Sequence, residues 1–237
     1  MKKIGILGGM GPESTAHTYM KMIEYCQKEY GAKQDADFPP IVIYSCPIPD
    51  VVNINNKEVE LLENLESGID LLKNAGCKFA IIPCNSVQSF LPVLSKKLPI
   101  ISIVEETIEE LTKLGIKKVG LLATQTTLSK RIYQQALEKQ GIEMILPENQ
   151  KEVTEVIRKI LEGKKEETKE KLYNIINNLK RKGAGAVILA CTDLPLIVDK
   201  KDFDIAILDT VEILAKAAVK KYYQLIDYRL KSSRSNK

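Results

Sequence analysis

Short apolar runs alternate along the chain with longer stretches in which apolar residues return every three or four positions. Ile4–Gly8, Ile41–Cys46, Phe79–Pro83 and Ala186–Ala190 read as buried strands, being too short for helices and bounded by glycine, proline or polar residues. A helix is expected to begin near Pro12, a residue suited to the first helical position, and to run to about Tyr30. Lys57–Ala75 carries apolar residues at 61, 62, 65, 69 and 72, one helical stripe, and Gly76 closes it. Another helix is expected from the end of the third run through Leu94. Leu172, Ile175, Ile176 and Leu179 mark a further one, stopped by Gly183, and 211–229 reads as a long amphipathic closing helix. Residues 231–237 read as a polar, frayed tail. Strand–helix alternation of this kind predicts an α/β fold of parallel sheets covered by helices.

The pattern also repeats. Lys2–Gly8 resembles Lys117–Ala123, and Gly76 through Glu105 matches Gly183 through Glu212 at a constant offset of 107. In that register Ile81-Ile82-Pro83-Cys84-Asn85-Ser86 lies on Ile188-Leu189-Ala190-Cys191-Thr192-Asp193, and Val104-Glu105 on Val211-Glu212. Buried parallel strands share a composition rich in Val, Ile and Leu, which alone yields some likeness. Coincident cysteines, glycines and a Val-Glu pair without a gap favour duplication. The expectation is therefore two pseudo-symmetric α/β domains with the active site in the cleft between them. The first would comprise 1–98 together with 210–230, the second 99–209.

Composition narrows the chemistry. Lys and Arg outnumber Asp and Glu by 35 to 31, spread along the chain, and no nucleic-acid recognition motif accompanies this weak excess. Tryptophan is absent, and the single histidine, His17, excludes a His-rich metal site. No metal centre is expected. The cysteines are Cys26, Cys46, Cys77, Cys84 and Cys191, with no Cys-x-x-Cys pair and an odd total, so neither a zinc ribbon nor a disulfide framework is indicated. The apolar run after Met1 is short and glycine-rich, without a cleavage site, and no run reaches membrane-spanning length. A cytoplasmic protein that binds neither membrane nor nucleic acid is expected.

Cys84 and Cys191 each follow a strand, where ligand sites form in open parallel sheets. With the domains facing each other, the two thiols would meet across a cleft. A helix beginning at each would lower the thiol pKa. Two facing sulfurs would titrate as a pair, resting as one thiolate and one thiol. Racemisation at Cα needs such a pair: one base removes the proton from one face and an acid on the other face delivers one. Asn85, Ser86 and Thr192 stand beside the cysteines and could stabilise the carbanion. The competing reading is a pair of buried core cysteines, the reading that Cys26, Cys46 and Cys77 invite.

Gly8-Gly9-Met10-Gly11-Pro12-Glu13-Ser14-Thr15 forms a glycine-rich turn between strand and helix, able to offer amides to an anion. It lacks the third glycine of a dinucleotide fingerprint, so a substrate carboxylate or a purely structural turn is the reading.

Taken together, this loop, Pro83-Cys84-Asn85-Ser86 and Cys191-Thr192-Asp193-Leu194-Pro195-Leu196 resemble the motifs of the aspartate/glutamate racemase superfamily, its aspartate racemase branch in particular. Leu121-Leu122-Ala123-Thr124, with Thr127 and Tyr133, resembles the opening of that family's second domain. The resemblance spans about residues 2 to 220. It implies a cofactor-independent, homodimeric racemase interconverting L- and D-aspartate, with Cys84 and Cys191 as acid/base thiols. Met10, Gly11, Asn85, Ser86, Thr124, Thr127, Thr192 and Asp193 would hold the substrate. Lys165, or Lys164 in another register, would meet its side-chain carboxylate. Three positions depart from the pattern: Val51 stands where an Arg usually follows Ile48-Pro49-Asp50, Gln88 where His is frequent, and Asp193 where Glu is usual. The alternatives are a racemase of glutamate or another amino acid, or a non-catalytic amino-acid-binding protein. A pyridoxal enzyme finds no motif for its lysine or phosphate cup.

Overall fold

Buried β-branched and leucine side chains set the strands, and glycines let helices lie close on them. The computed structural model describes residues 2–49, 51–52 and 57–234, without the side chains of 227–234. The first sheet holds β1 (Lys3–Gly8), β2 (Ile41–Ser45), β3 (Cys77–Ile81) and β4 (Ile100–Ile101) in the order β2-β1-β3-β4, all parallel. The second holds β5 (Lys118–Ala123), β6 (Glu143–Ile145), β7 (Ala186–Ala190) and β8 (Ala206–Asp209) in the equivalent order β6-β5-β7-β8, again parallel. The repeat is visible in the registers. Ile6 pairs with Ile81 as Leu121 pairs with Ile188, and Ala80 pairs with Ile100 as Val187 pairs with Ile207.

The helices in chain order are α1 (Pro12–Tyr30), α2 (Glu58–Asn74), α3 (Leu91–Leu94), α4 (Ile103–Lys113), α5 (Gln125–Ser129), α6 (Gln134–Lys139), α7 (Gln150–Leu161), α8 (Glu166–Arg181) and α9 (Thr210–Arg234). Helices α4 and α9 leave equivalent strands and are capped alike: Ser102 Oγ accepts from the Glu105 amide, Asp209 Oδ1 from those of Val211 and Glu212.

Three layers of core follow. The outer face of the first sheet packs on α2 through Leu61, Leu65, Ile69 and Leu72. Gly68 makes this possible, since a Cβ there would stand 2.5 Å from a Leu7 methyl. The outer face of the second sheet packs on α7 and α8 through Val153, Val156, Ile160, Leu172 and Ile176. Between the sheets, Ile4, Ile6 and Ile81 of one and Leu121, Ile188 and Leu208 of the other share a single core with Met22, Leu111, Leu214 and Ala218.

Three expectations change. Strand β4 lies beyond residue 98 yet completes the first sheet, so that sheet reaches past the expected boundary. No long helix follows Cys84 or Cys191: 3-10 turns at Gln88–Phe90 and Leu194–Leu196 do, with only the short α3 after the first. Helix α9 continues to Arg234, so 231–234 are helical where a frayed tail is expected; lysine and arginine there cost helix formation little. Residues 235–237 lie outside the described residues.

Candidate active site

Equivalent strand ends bring Cys84 and Cys191 to one cleft of about 170 Å³ between the two sheets. Met10, Gly11, Asn85, Ser86, Thr124, Thr192 and Asp193 line it with them, and both sulfur-bearing side chains are almost wholly withdrawn from solvent. A larger open groove of about 1050 Å³ lies along α4 and α6 but contains neither cysteine.

The loop after β1 is shaped by its glycines. Gly9 has φ +95°, and a Cβ there would fall 2.2 Å from the Cys46 carbonyl oxygen, so only glycine fits. Its amide donates to Thr15 Oγ1 (2.9 Å), whose hydroxyl donates to the Gly11 carbonyl (2.9 Å). The Gly9 N–H is therefore spent on the turn rather than offered to an anion. Ser14, one turn into α1, reaches across to the other half of the molecule, bonding the Thr192 carbonyl (2.9 Å) and Asp193 Oδ1.

The polar wall is a network. Ser86 Oγ lies 2.8 Å from Thr124 Oγ1, which lies 3.0 Å from Thr127 Oγ1 and accepts the Thr127 amide as the cap of α5. Thr127 is fully buried behind Thr124 and does not line the cleft, because its hydroxyl faces this network. Asn85 is clamped at both ends of its amide: Tyr133 donates to Oδ1 (2.7 Å), and Nδ2 donates to Thr210 Oγ1 (3.3 Å). Gln88 Nε2 donates back to the Cys84 carbonyl (3.0 Å).

Electrostatics correct the expectation of acidic thiols. Burial pushes the Cys84 thiol up to about 12, although the amides of Ser86 and Val87 favour its thiolate. Burial and then the charge of Asp193 raise Cys191 well above the ordinary thiol range, and charge on Cys84 adds to the rise. The short turns after each cysteine lack the aligned dipoles that would offset desolvation. Burial likewise raises Asp193, against the hydrogen bonds from Ser14 and from the Cys191 thiol, whose Sγ stands 3.7 Å from Oδ2.

Lys165 departs from its expected role. It pairs with Glu13 and does not line the cleft, and Lys164 pairs with Glu162 (2.7 Å). The remaining wall is apolar: Pro12, Ile48, Pro49, Val51, Val52 and Leu161. Asp50, beside this wall in sequence, lies outside the described residues. No sequence motif points to Leu161, Val52 or Thr210. Leu161 ends a helix of the opposite half, and Thr210 falls on Ile103 in the repeat, so neither motif nor symmetry signals them.

The model of the Asp/Glu/Hydantoin racemase family matches residues 7–218. The broad specificity amino-acid racemase RacX of Bacillus subtilis (strain 168) is 35% identical over 222 residues, covering 92% of this chain and 97% of that one. Among solved structures, Picrophilus torridus aspartate racemase superposes with a TM-score of 0.83 at 28% identity, over 93% of this chain and 94% of that one. An aspartate racemase homologue from Pyrococcus horikoshii OT3 does so with a TM-score of 0.76 at 30% identity, over 93% and 98%.

Proposed function

From the premise that the chain belongs to the Asp/Glu/hydantoin racemase family and is an amino-acid racemase, we propose that it inverts Cα with two thiols, Cys84 and Cys191, and no cofactor. The observation that supports this reading most is the pair itself. Two cysteines from equivalent strand ends of related sheets enter one small cleft, near enough that charge on one raises the pKa of the other.

The substrate's α-carbon lies between the sulfurs. One sulfur, as thiolate, takes the Cα proton, and the electron pair passes into the carboxylate as an enediolate. The opposite thiol then gives its proton to the other face of Cα, leaving a thiolate there, and the enantiomer departs. Both sulfurs start protonated in the empty cleft, because burial penalises the thiolate. The substrate's ammonium group offsets that penalty when it enters. The thiol that acts as base releases its proton to solvent, and Asp193, accepting from Cys191, holds that sulfur in place. Amide and hydroxyl groups of Asn85, Ser86, Thr124 and Thr192 hold the carboxylate and meet the charge that develops on it. Aspartate, which the motifs imply, carries a second carboxylate, and no lysine or arginine lines the cleft among the described residues.

The test is Cys84→Ser and Cys191→Ser, followed by polarimetry. Each is expected to lose racemisation by about 10²–10⁴-fold, the range for removal of a general acid or base. Enantiomers have equal free energy, so kcat/KM falls equally in both directions. One thiol suffices for Cα–H exchange without inversion, so exchange of a single enantiomer persists in each variant. Full racemisation by either variant overturns the proposal.

A further inference from the structure

We infer that the cleft takes amino acids with neutral aliphatic side chains, and that Ile48, Val51, Val52 and Leu161 form the side-chain subsite. This rests on the racemase reading above and assigns its substrate class. Besides the polar groups that would serve the carboxylate and amine, the cleft is lined by those four residues with Pro12 and Pro49. The wall is built from both halves of the molecule. Ile48 and Val51 pack with the outer core of the first sheet and Val52 with that of the second, and Thr126 Oγ1 donates to the Val52 carbonyl (3.2 Å). Leu161 is 48% exposed although it ends a helix whose other leucine- and valine-type positions are buried. It leans over Gly11, where a Cβ would stand 3.3 Å from its Cδ2. A bound aliphatic side chain would cover that exposed surface.

The same wall disfavours charge. Among the described residues, the one charged group in the lining is Asp193, committed to Ser14 and the Cys191 thiol. A second substrate carboxylate would lose its water for apolar contacts and meet Asp193, with no cation in compensation. The nearby lysines, Lys164 and Lys165, are held by Glu162 and Glu13. Next to Val51 and Val52 in sequence stand Asp50, Asn53, Ile54, Asn55 and Asn56, none cationic and all outside the described residues. Among the described residues, a lysine or arginine substrate would lay its charge against the same hydrocarbon, Asp193 and Glu13 being committed to Ser14 and Lys165. Apolar pockets discriminate weakly among aliphatic chains differing by a methylene, so several neutral amino acids should turn over within a modest range of one another.

The experiment follows the loss of the Cα proton signal by NMR in D2O. Purified protein is given L-leucine, L-methionine, L-valine, L-aspartate, L-glutamate and L-lysine separately. At least one neutral amino acid is expected to exchange more than about tenfold faster than every charged one. Leu161→Arg, at a half-exposed position the fold tolerates, and Val51→Arg are expected to raise aspartate exchange relative to leucine at least tenfold. Faster exchange of aspartate, glutamate or lysine than of all neutral amino acids overturns the substrate class and leaves the racemase reading standing. Unchanged selectivity in both folded arginine variants overturns the subsite. Exchange of no amino acid by the folded wild-type protein removes the racemase reading, and this inference with it.

Discussion

Burial decides the character of the two cysteines. The Ser86 and Val87 amides favour the Cys84 thiolate, but desolvation outweighs them and the group rises to about 12. At Cys191 the neighbouring Asp193 adds to burial instead of opposing it. The direction has a kinetic consequence. For a base whose pKa lies above the working range, the reactive thiolate fraction grows with pH, and kcat/KM reports ionisation in the free enzyme. We therefore expect kcat/KM to rise about tenfold per pH unit from roughly pH 6 to about pH 8.5, before the substrate's own ammonium group titrates. The check is a pH profile of kcat/KM with an aliphatic substrate. A plateau already reached near about pH 7.5 would mean that one thiol is acidic in the free protein, against the effect of its burial.

Elements, rather than residues, hold the polar wall in place. Asn85 follows β3, Tyr133 precedes α6, and Thr210 opens α9 while donating to the Leu189 carbonyl of β7 (2.9 Å). Four elements from both halves thus fix one side-chain amide beside Cys84, and Tyr133 acts as a positioning residue. Tyr133→Phe deletes the bond to Asn85 Oδ1 and leaves that buried acceptor unpaired, at a cost of about 1–3 kcal/mol. If Asn85 holds the substrate before and during proton transfer, KM should rise several-fold with kcat changed less, which a purely structural loss would not produce. Steady-state kinetics beside a thermal melt separate the two. A variant less stable but with unaltered KM would deny the positioning role.

Much at this scale is legible in the sequence. Helix α1 begins at Pro12 and ends at Tyr30 as its signals predict, and the offset of 107 reproduces the strand registers residue for residue. Strands β4 and β6 are only two and three residues long, too short for alternation to show. The stripe Val153, Val156, Ile157 and Ile160 of α7 has helical spacing, with the charged residues between them on the opposite face, and was open to the same reading. That Cys84, Cys191 and their neighbours share a cleft was readable, because strand ends are where such sheets open clefts. The aliphatic wall was not, because Val52 and Leu161 meet only once the two halves pack.

At the scale of the molecule, the spacing of the thiols depends on a core that belongs to neither half alone. Helix α9 packs against both α1 and α4, and its Leu214 is fully buried among side chains of both sheets. If each half were an independent folding unit, the cleft could breathe and the sulfurs would not keep the opposed placement that the proposed two-thiol inversion needs. A shared core instead predicts that the halves unfold together. Leu214→Ala should cost about 2–5 kcal/mol, the range for a buried leucine truncation. It should shift one urea transition to lower concentration without splitting it or changing its slope. Far-ultraviolet circular dichroism reports the helices, and the tyrosines report packing without interference, since the chain has nine tyrosines and no tryptophan. Coincident curves from both probes, displaced equally in the variant, are the expected result. Separate transitions would mean that the sheets hold their own folds, and the fixed geometry that two-sided proton transfer demands would then have to come from the substrate rather than from the protein.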